Sequence, residues 1–221
     1  MVKAVVVAAW LVVSSSVGAA TLFPTPLHLV RRIDDPLARS SSIVEEFCAG
    51  DRIISISGNR VAITDFAAQT LTEIDHDTAT FSITRFDEIA KARSAAPAAI
   101  NASVEVKADR TVALSRDAVE ALVGAAYPNR RDSTHEKILS AVAPAGGRLA
   151  AQSKDEAAFA LPRETIVTYE EGLTYRNVII RIDHDPPPSR ALLIDPGASR
   201  VESRLTRTAR ELQQLDHPPK Q

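Results

Sequence analysis

The chain has one cysteine, one methionine and one tryptophan in 221 residues, and aromatic residues make up only 5% of it. A lone Cys48 excludes an internal disulfide, so the fold has to be held by its core alone. Placed within Val44-Glu45-Glu46-Phe47-Cys48, it reads as a small buried hydrophobe rather than a nucleophile. Neither charge sign dominates: 26 Lys and Arg stand against 28 Asp and Glu. That balance leaves no electrostatic footprint for nucleic acid.

Long hydrophobic runs are also missing. The longest apolar stretch, Ala4 to Val13, is too short for a bilayer-spanning helix, which takes roughly 20 residues. Lys3 before it, and Ser14-Ser15-Ser16 then Val17-Gly18-Ala19-Ala20 after it, have the form of an export signal cleaved after Ala19 or Ala20. No cysteine follows the run, so no lipid is attached there. The expectation is a secreted or periplasmic protein, with no transmembrane segment after cleavage. Residues 21–221 are expected to form one domain, with a helical insertion around residues 115–143.

Catalytic signatures are equally scarce. His135-Glu136 would begin a zinc-protease motif, but Leu139 stands where the second histidine belongs. No nucleophile elbow, phosphate-cradling glycine loop or paired-cysteine signature occurs. Asp75-His76-Asp77 and Asp183-His184-Asp185 each follow an Ile at a strand end. Imidazole and carboxylate together suit a divalent ion, but turn chemistry accounts for every residue in both triplets. His28 with Asp34 or Asp35 offers half of an acid/base pair, and nothing supplies a nucleophile. No enzyme activity, catalytic residue, metal site or cofactor is expected.

What the chain does have is β-text. Leu27–Ile33, Ile43–Cys48, Arg52–Ile56, Arg60–Thr64, Gln69–Asp75 and Thr80–Thr84 read as strands. Ala49-Gly50-Asp51, Gly58-Asn59 and His76-Asp77-Thr78-Ala79 read as the turns between them. Ala102–Lys107, Thr165–Glu170, Thr174–Asp183 and Ala191–Ile194 extend the strand inventory. Helices are expected over Asp87–Arg93, after the cap Ser115, after Ser133-Thr134-His135-Glu136, and after the capping-box pattern Ser199-Arg200-Val201-Glu202. Period-2 alternation sets Ile54, Ile56, Val61, Ile63, Phe81 and Ile83 on one apolar face, with Ile53, Ser55 and Ser57 opposite. The expected class is α+β, with the apolar face beneath helices and the Ser/Thr face in water.

Phe47-Cys48-Ala49-Gly50-Asp51-Arg52, Ile63-Thr64-Asp65, Leu71-Thr72-Glu73-Ile74-Asp75 and Thr80 to Glu88 together resemble the strand text of LolA-like envelope proteins. Phe159-Ala160-Leu161-Pro162, before the Ile166 hairpin, is similar to the second half of such domains. The resemblance implies a curved antiparallel sheet, a half-open β-barrel with helices covering the concave face. In carrier members that cavity shelters acyl chains. It further implies a non-enzymatic protein that binds a lipid or other apolar ligand in a groove lined by Ile54, Ile56, Val61, Ile63, Phe81 and Ile83. The alternative is a structural or signalling module with a filled core, presenting its Arg-rich terminal helix and triple-proline loop to an envelope protein partner.

Overall fold

The computed structural model describes residues 21–94, 102–126, 134–144, 158–169, 172–203 and 206–207. The segment expected to be an export signal, the Ala/Pro-rich stretch after Ser94, Asn101 and the chain after residue 207 lie outside the described residues.

Turn chemistry organises the first half. β1 (Phe23–Asp35), β2 (Ser40–Gly50), β3 (Arg52–Ser57), β4 (Arg60–Asp65), β5 (Thr70–Asp75) and β6 (Thr80–Arg85) form an antiparallel meander. Two of its turns are two residues long and begin with glycine: Gly50-Asp51 and Gly58-Asn59. Gly58 takes φ +59° while Asn59 stays out of the left-handed region, the pattern of a turn with positive φ at its first central position only.

The other three turns share a different device. Each is opened by an aspartate and closed by a left-handed non-glycine residue before a Ser or Thr: Asp35 to Ser40, Asp65 to Thr70 and Asp75 to Thr80. The aspartate Oδ1 accepts backbone N–H groups inside the turn, from Leu37 and Ala38, from Ala68, and from Asp77 and Thr78. Such a carboxylate substitutes for a backbone acceptor and tightens the loop. Arg39, Gln69 and Ala79 take φ of 50°, 55° and 49°. The triplet Asp75-His76-Asp77 is therefore turn chemistry, as its sequence suggests.

Helix α1 (Phe86–Ser94) leaves β6 with Asp87 and Glu88 in its first turn, where the helix dipole favours negative charge. The chain then runs through the long strand β7 (Ala102–Leu114), helices α2 (Arg116–Ala126) and α3 (Thr134–Val142), and strands β8 (Phe159–Tyr169) and β9 (Thr174–Asp183). Ser115 caps α2 as expected, its Oγ accepting the Ala118 N–H at 3.1 Å. β9 does not extend the meander at its far edge. It pairs antiparallel with β1, giving one open ten-stranded mixed sheet ordered β10-β6-β5-β4-β3-β2-β1-β9-β8-β7. Register shifts between Val30 and Arg31, where Ile180 is left without a partner on β1.

Two expected elements come out differently. Ala191–Ile194 is not a strand; Ser189–Leu192 forms a 3-10 turn instead. Ser199-Arg200 does not begin a helix but forms β10, parallel to β6. Its Ser199 N–H donates to Ala79 O and the Val201 N–H to Phe81 O. An open sheet edge offers backbone acceptors that a helix cap would leave unused. Four residues on, Ser203 Oγ accepts the Thr206 N–H.

Two buried clusters hold α2 and α3 to the sheet. The first joins Phe23, Leu27, Leu29, Cys48, Ile53, Leu161 and Ile179 to Ala118, Ala121 and Leu122 of α2. The second joins Ala102, Phe159, Ala160 and Val167 to Val119 and Val123 of α2 and to Ile138 and Val142 of α3. Spacings of four along α2 thus give adjacent stripes, one to each cluster. Here the face expected from alternation is corrected. Ile53 lies in the helix-packed cluster at 0% exposure, whereas Ile54 points the other way. The Ser/Thr positions on the Ile53 side are not uniformly in water either: Ser57 is exposed, but Ser82 and Thr84 are buried. In Ile53-Ile54-Ser55-Ile56-Ser57 the alternation favours Ile54 and Ile56, but the covered face is chosen by Leu29 and Cys48 on the neighbouring strands.

Candidate functional site

Directly opposed residues in an antiparallel pair share a face, so the registers trace side-chain rows across the sheet. One row runs Asp183, His28, Phe47, Ile54, Ile63, Thr72, Ile83 across β9, β1, β2, β3, β4, β5 and β6. The next runs Arg181, Val30, Glu45, Ile56, Val61, Ile74, Phe81 and ends at Arg200 of β10. All six residues expected to line a groove lie on these rows, on one face of β3, β4 and β6, with Thr72 and Ile74 of β5 between the β4 and β6 residues. Val61 is buried, Ile54, Ile56, Ile63 and Phe81 are half-buried, and Ile83 is 40% exposed. None of the six belongs to either helix-packed cluster. The set is one apolar surface, and it lies on the opposite side of the sheet from Ile53.

The same rows end in a polar cluster at β1 and β9. His28 is 2% exposed and stacks on Phe47, with ring centroids 4.1 Å apart and planes 8° from parallel. Its Nε2 lies 3.1 Å from Glu45 Oε2 and its Nδ1 2.6 Å from Asp183 Oδ1. Arg181 Nε pairs with the other Asp183 oxygen, Oδ2, at 2.9 Å. Asp183 Oδ1 also accepts the Asp185 N–H at 3.0 Å. That backbone donor, opposed by partial burial and reinforced by His28, holds the Asp183 carboxyl below the usual range.

His28 thus has carboxylate partners, but not Asp34 or Asp35. Those residues stand six and seven positions along the same strand, about 20 Å away at the extended rise. Asp34 accepts the Ser41 hydroxyl and Asp35 serves its turn. Nor do the two Asp-His-Asp triplets share a hydrogen bond. His76 Nδ1 approaches Asp195 at 3.5 Å, and His184 Nδ1 donates to Pro26 O at 2.6 Å. Sequence reasoning misses Glu45 and Asp183 because cross-sheet pairing, not chain proximity, brings them to His28. The Asp183-His184-Asp185 triplet is the available signal.

On the opposite face lies a buried ion pair, Arg31 Nε to Glu46 Oε2 at 2.5 Å, with both side chains under 5% exposed. Cys48 is adjacent to it in the fold; burial, and then the Glu46 charge, push its thiol well up, so it stays protonated and unreactive. An open depression of about 270 Å³ is lined by Asp34, Asp35, Pro36, Arg39, Ser40, Ser41 and Thr174. It is polar and sits at the β1–β2 turn, away from the apolar rows.

No protein-family model and no curated protein matches the chain. Among solved structures it is similar to the crystal structure of an uncharacterized conserved protein from Thermus thermophilus. Identity is 8% and the TM-score 0.42, over 81% of this chain and 91% of that one. A likeness of that size carries no functional argument.

Proposed function

We propose that the chain is a non-enzymatic, secreted or periplasmic protein of LolA-like kind that binds a lipid or other apolar ligand on the face formed by Ile54, Ile56, Val61, Ile63, Phe81 and Ile83. In this reading the sheet curves into a half-open barrel and that face is its lining. One observation carries the proposal: six apolar side chains from three strands, β3, β4 and β6, share one face, with Ile74 of β5 linking Val61 to Phe81, outside both clusters that the helices fill. An apolar surface that no helix-packed cluster includes gains about 25 cal/mol for each Å² a ligand removes from water. The export signal ahead of Thr21 supports an envelope setting. Among the described residues no helix is long and apolar enough to cross a membrane.

The second reading is an envelope interaction module. Leu29, Ile53, Ala118 and Leu122, all 0% exposed, favour it, because they leave no groove between α2 and the sheet. Titration of a fluorescent fatty-acid analogue separates the two. The parent protein is expected to bind it saturably, and Ile83→Asp, at an exposed position, to abolish binding with little change in melting temperature. Absence of saturable binding in the parent protein overturns the ligand reading and leaves the module.

A further inference from the structure

We propose that His28, Asp183 and Asp185 form a binding site for a zinc-class divalent cation, with Glu45 orienting the imidazole. One ligand atom from each of the three residues lies within 4.8 Å of the others. They come from the middle of β1, the end of β9 and the segment just after it, so the β1–β9 pairing assembles the site.

The chemistry of the donor set points to a cation at one particular atom. A metal-bound histidine usually donates its remaining ring N–H to a carboxylate, which fixes the tautomer and raises the basicity of the other nitrogen. Glu45 occupies that position at Nε2. Stacking on Phe47 fixes the plane of the ring. The Nδ1 lone pair then faces Asp183 Oδ1 at 2.6 Å, and two acceptors at that distance repel unless something positive sits between them. A proton meets that need at the spacing seen. Zinc meets it after a small opening, because bonds of about 2.0–2.2 Å to nitrogen and oxygen set tetrahedral ligands roughly 3.3 Å apart.

Charge around the ring favours the same outcome. Glu45, Asp183 and Asp185 bring three carboxylates, and Arg181 brings one compensating guanidinium. An imidazole with two carboxylates suits borderline metals such as zinc better than calcium or magnesium, which prefer all-oxygen shells. Asp185 is exposed, so the fourth position opens to water.

The test is calorimetric titration of zinc chloride into the untagged, chelator-stripped protein at neutral pH. One equivalent is expected to bind. Asp185→Asn is expected to weaken binding by at least tenfold while leaving the metal-free melting temperature unchanged, since its side chain is exposed. Glu45→Gln, which keeps the shape but not the charge, is expected to weaken it by about 10–100-fold. Zinc binding that is absent, or that Asp185→Asn leaves unaltered, overturns the site and makes His28 a proton-bridged structural residue. His28→Asn adds a check only if it folds; the two carboxylate variants decide without it. Fatty-acid-analogue binding by the same variants reads the apolar face separately.

Discussion

Truncating Ile53 and Ile54 separately compares two identical, adjacent side chains on opposite faces of one strand. Ile53 is fully buried among Leu29, Cys48 and the α2 residues. Replacing it with Ala removes three carbons from a site closed on all sides. Both the lost transfer energy and the resulting cavity count, giving about 3–4 kcal/mol within the usual range for such truncations. Ile54 is half-buried on a face outside that cluster. Its truncation forfeits about half of an isoleucine's transfer energy, about 1 kcal/mol, and water or neighbouring side chains fill the space. With a urea slope of about 2 kcal/mol per molar, the midpoint falls by about 1.5–2 M for Ile53→Ala and about 0.5 M for Ile54→Ala. Equilibrium urea unfolding followed by circular dichroism measures both, and unchanged slopes would confirm that stability alone has moved. An Ile54→Ala loss equal to or larger than that of Ile53→Ala would refute the assignment of faces, and the ligand-binding surface with it.

Two further predictions follow from the turns and the ion pairs. Asp65, Asp109, Glu164 and Asp183 all have carboxyls held below their ordinary values, by the Ala68 N–H, the Thr111 hydroxyl, Lys107 and the Asp185 N–H respectively. A depressed folded-state value stabilises above the unfolded value, about 4, and that stability is lost as pH falls through the folded value. Urea midpoints are therefore expected to hold near neutrality and to drop steeply below pH ~4; a flat profile down to pH ~3 would contradict the pairing. Ala79→Gly is expected to stabilise by about 0.5–1 kcal/mol, because the left-handed backbone costs an L-residue about 1–2 kcal/mol and glycine's greater unfolded-state freedom returns only part of it. A lower melting temperature in that variant would show that the Ala79 methyl makes a contact worth more than the strain.

Local chemistry was legible in the sequence and long-range choice was not. The hairpin at Gly58-Asn59, the turn from Asp75 to Thr80 and the Ser115 cap are decided within a few residues, and each could be read directly. Alternation also placed the six apolar residues together, because period 2 survives any choice of neighbours. Which face the helices cover depends on what β1 and β2 present, and a strand reading Ile53-Ile54 gives no local preference between its two sides. The Ser199 segment carried a valid capping pattern, but the free edge of β6 competed for the same backbone. His28 lacked visible partners because Asp183 lies 155 residues away in sequence and meets it only through β9.

That seam between β1 and β9 also divides the molecule in time. Every pairing among β1–β6 closes a loop of a few tens of residues at most, while β1–β9 spans 155. Loop-closure entropy makes the long pairing costlier by about 2.4 kcal/mol than closing a loop of about ten residues. The meander is therefore expected to assemble ahead of the seam, and joining the halves to set the refolding rate. Until they join, β1 is a bare edge thirteen residues long, with Leu27, Leu29 and His28 unshielded. During refolding, this strand is where a second chain competes with β9, so yield should fall with protein concentration even when the native state is stable.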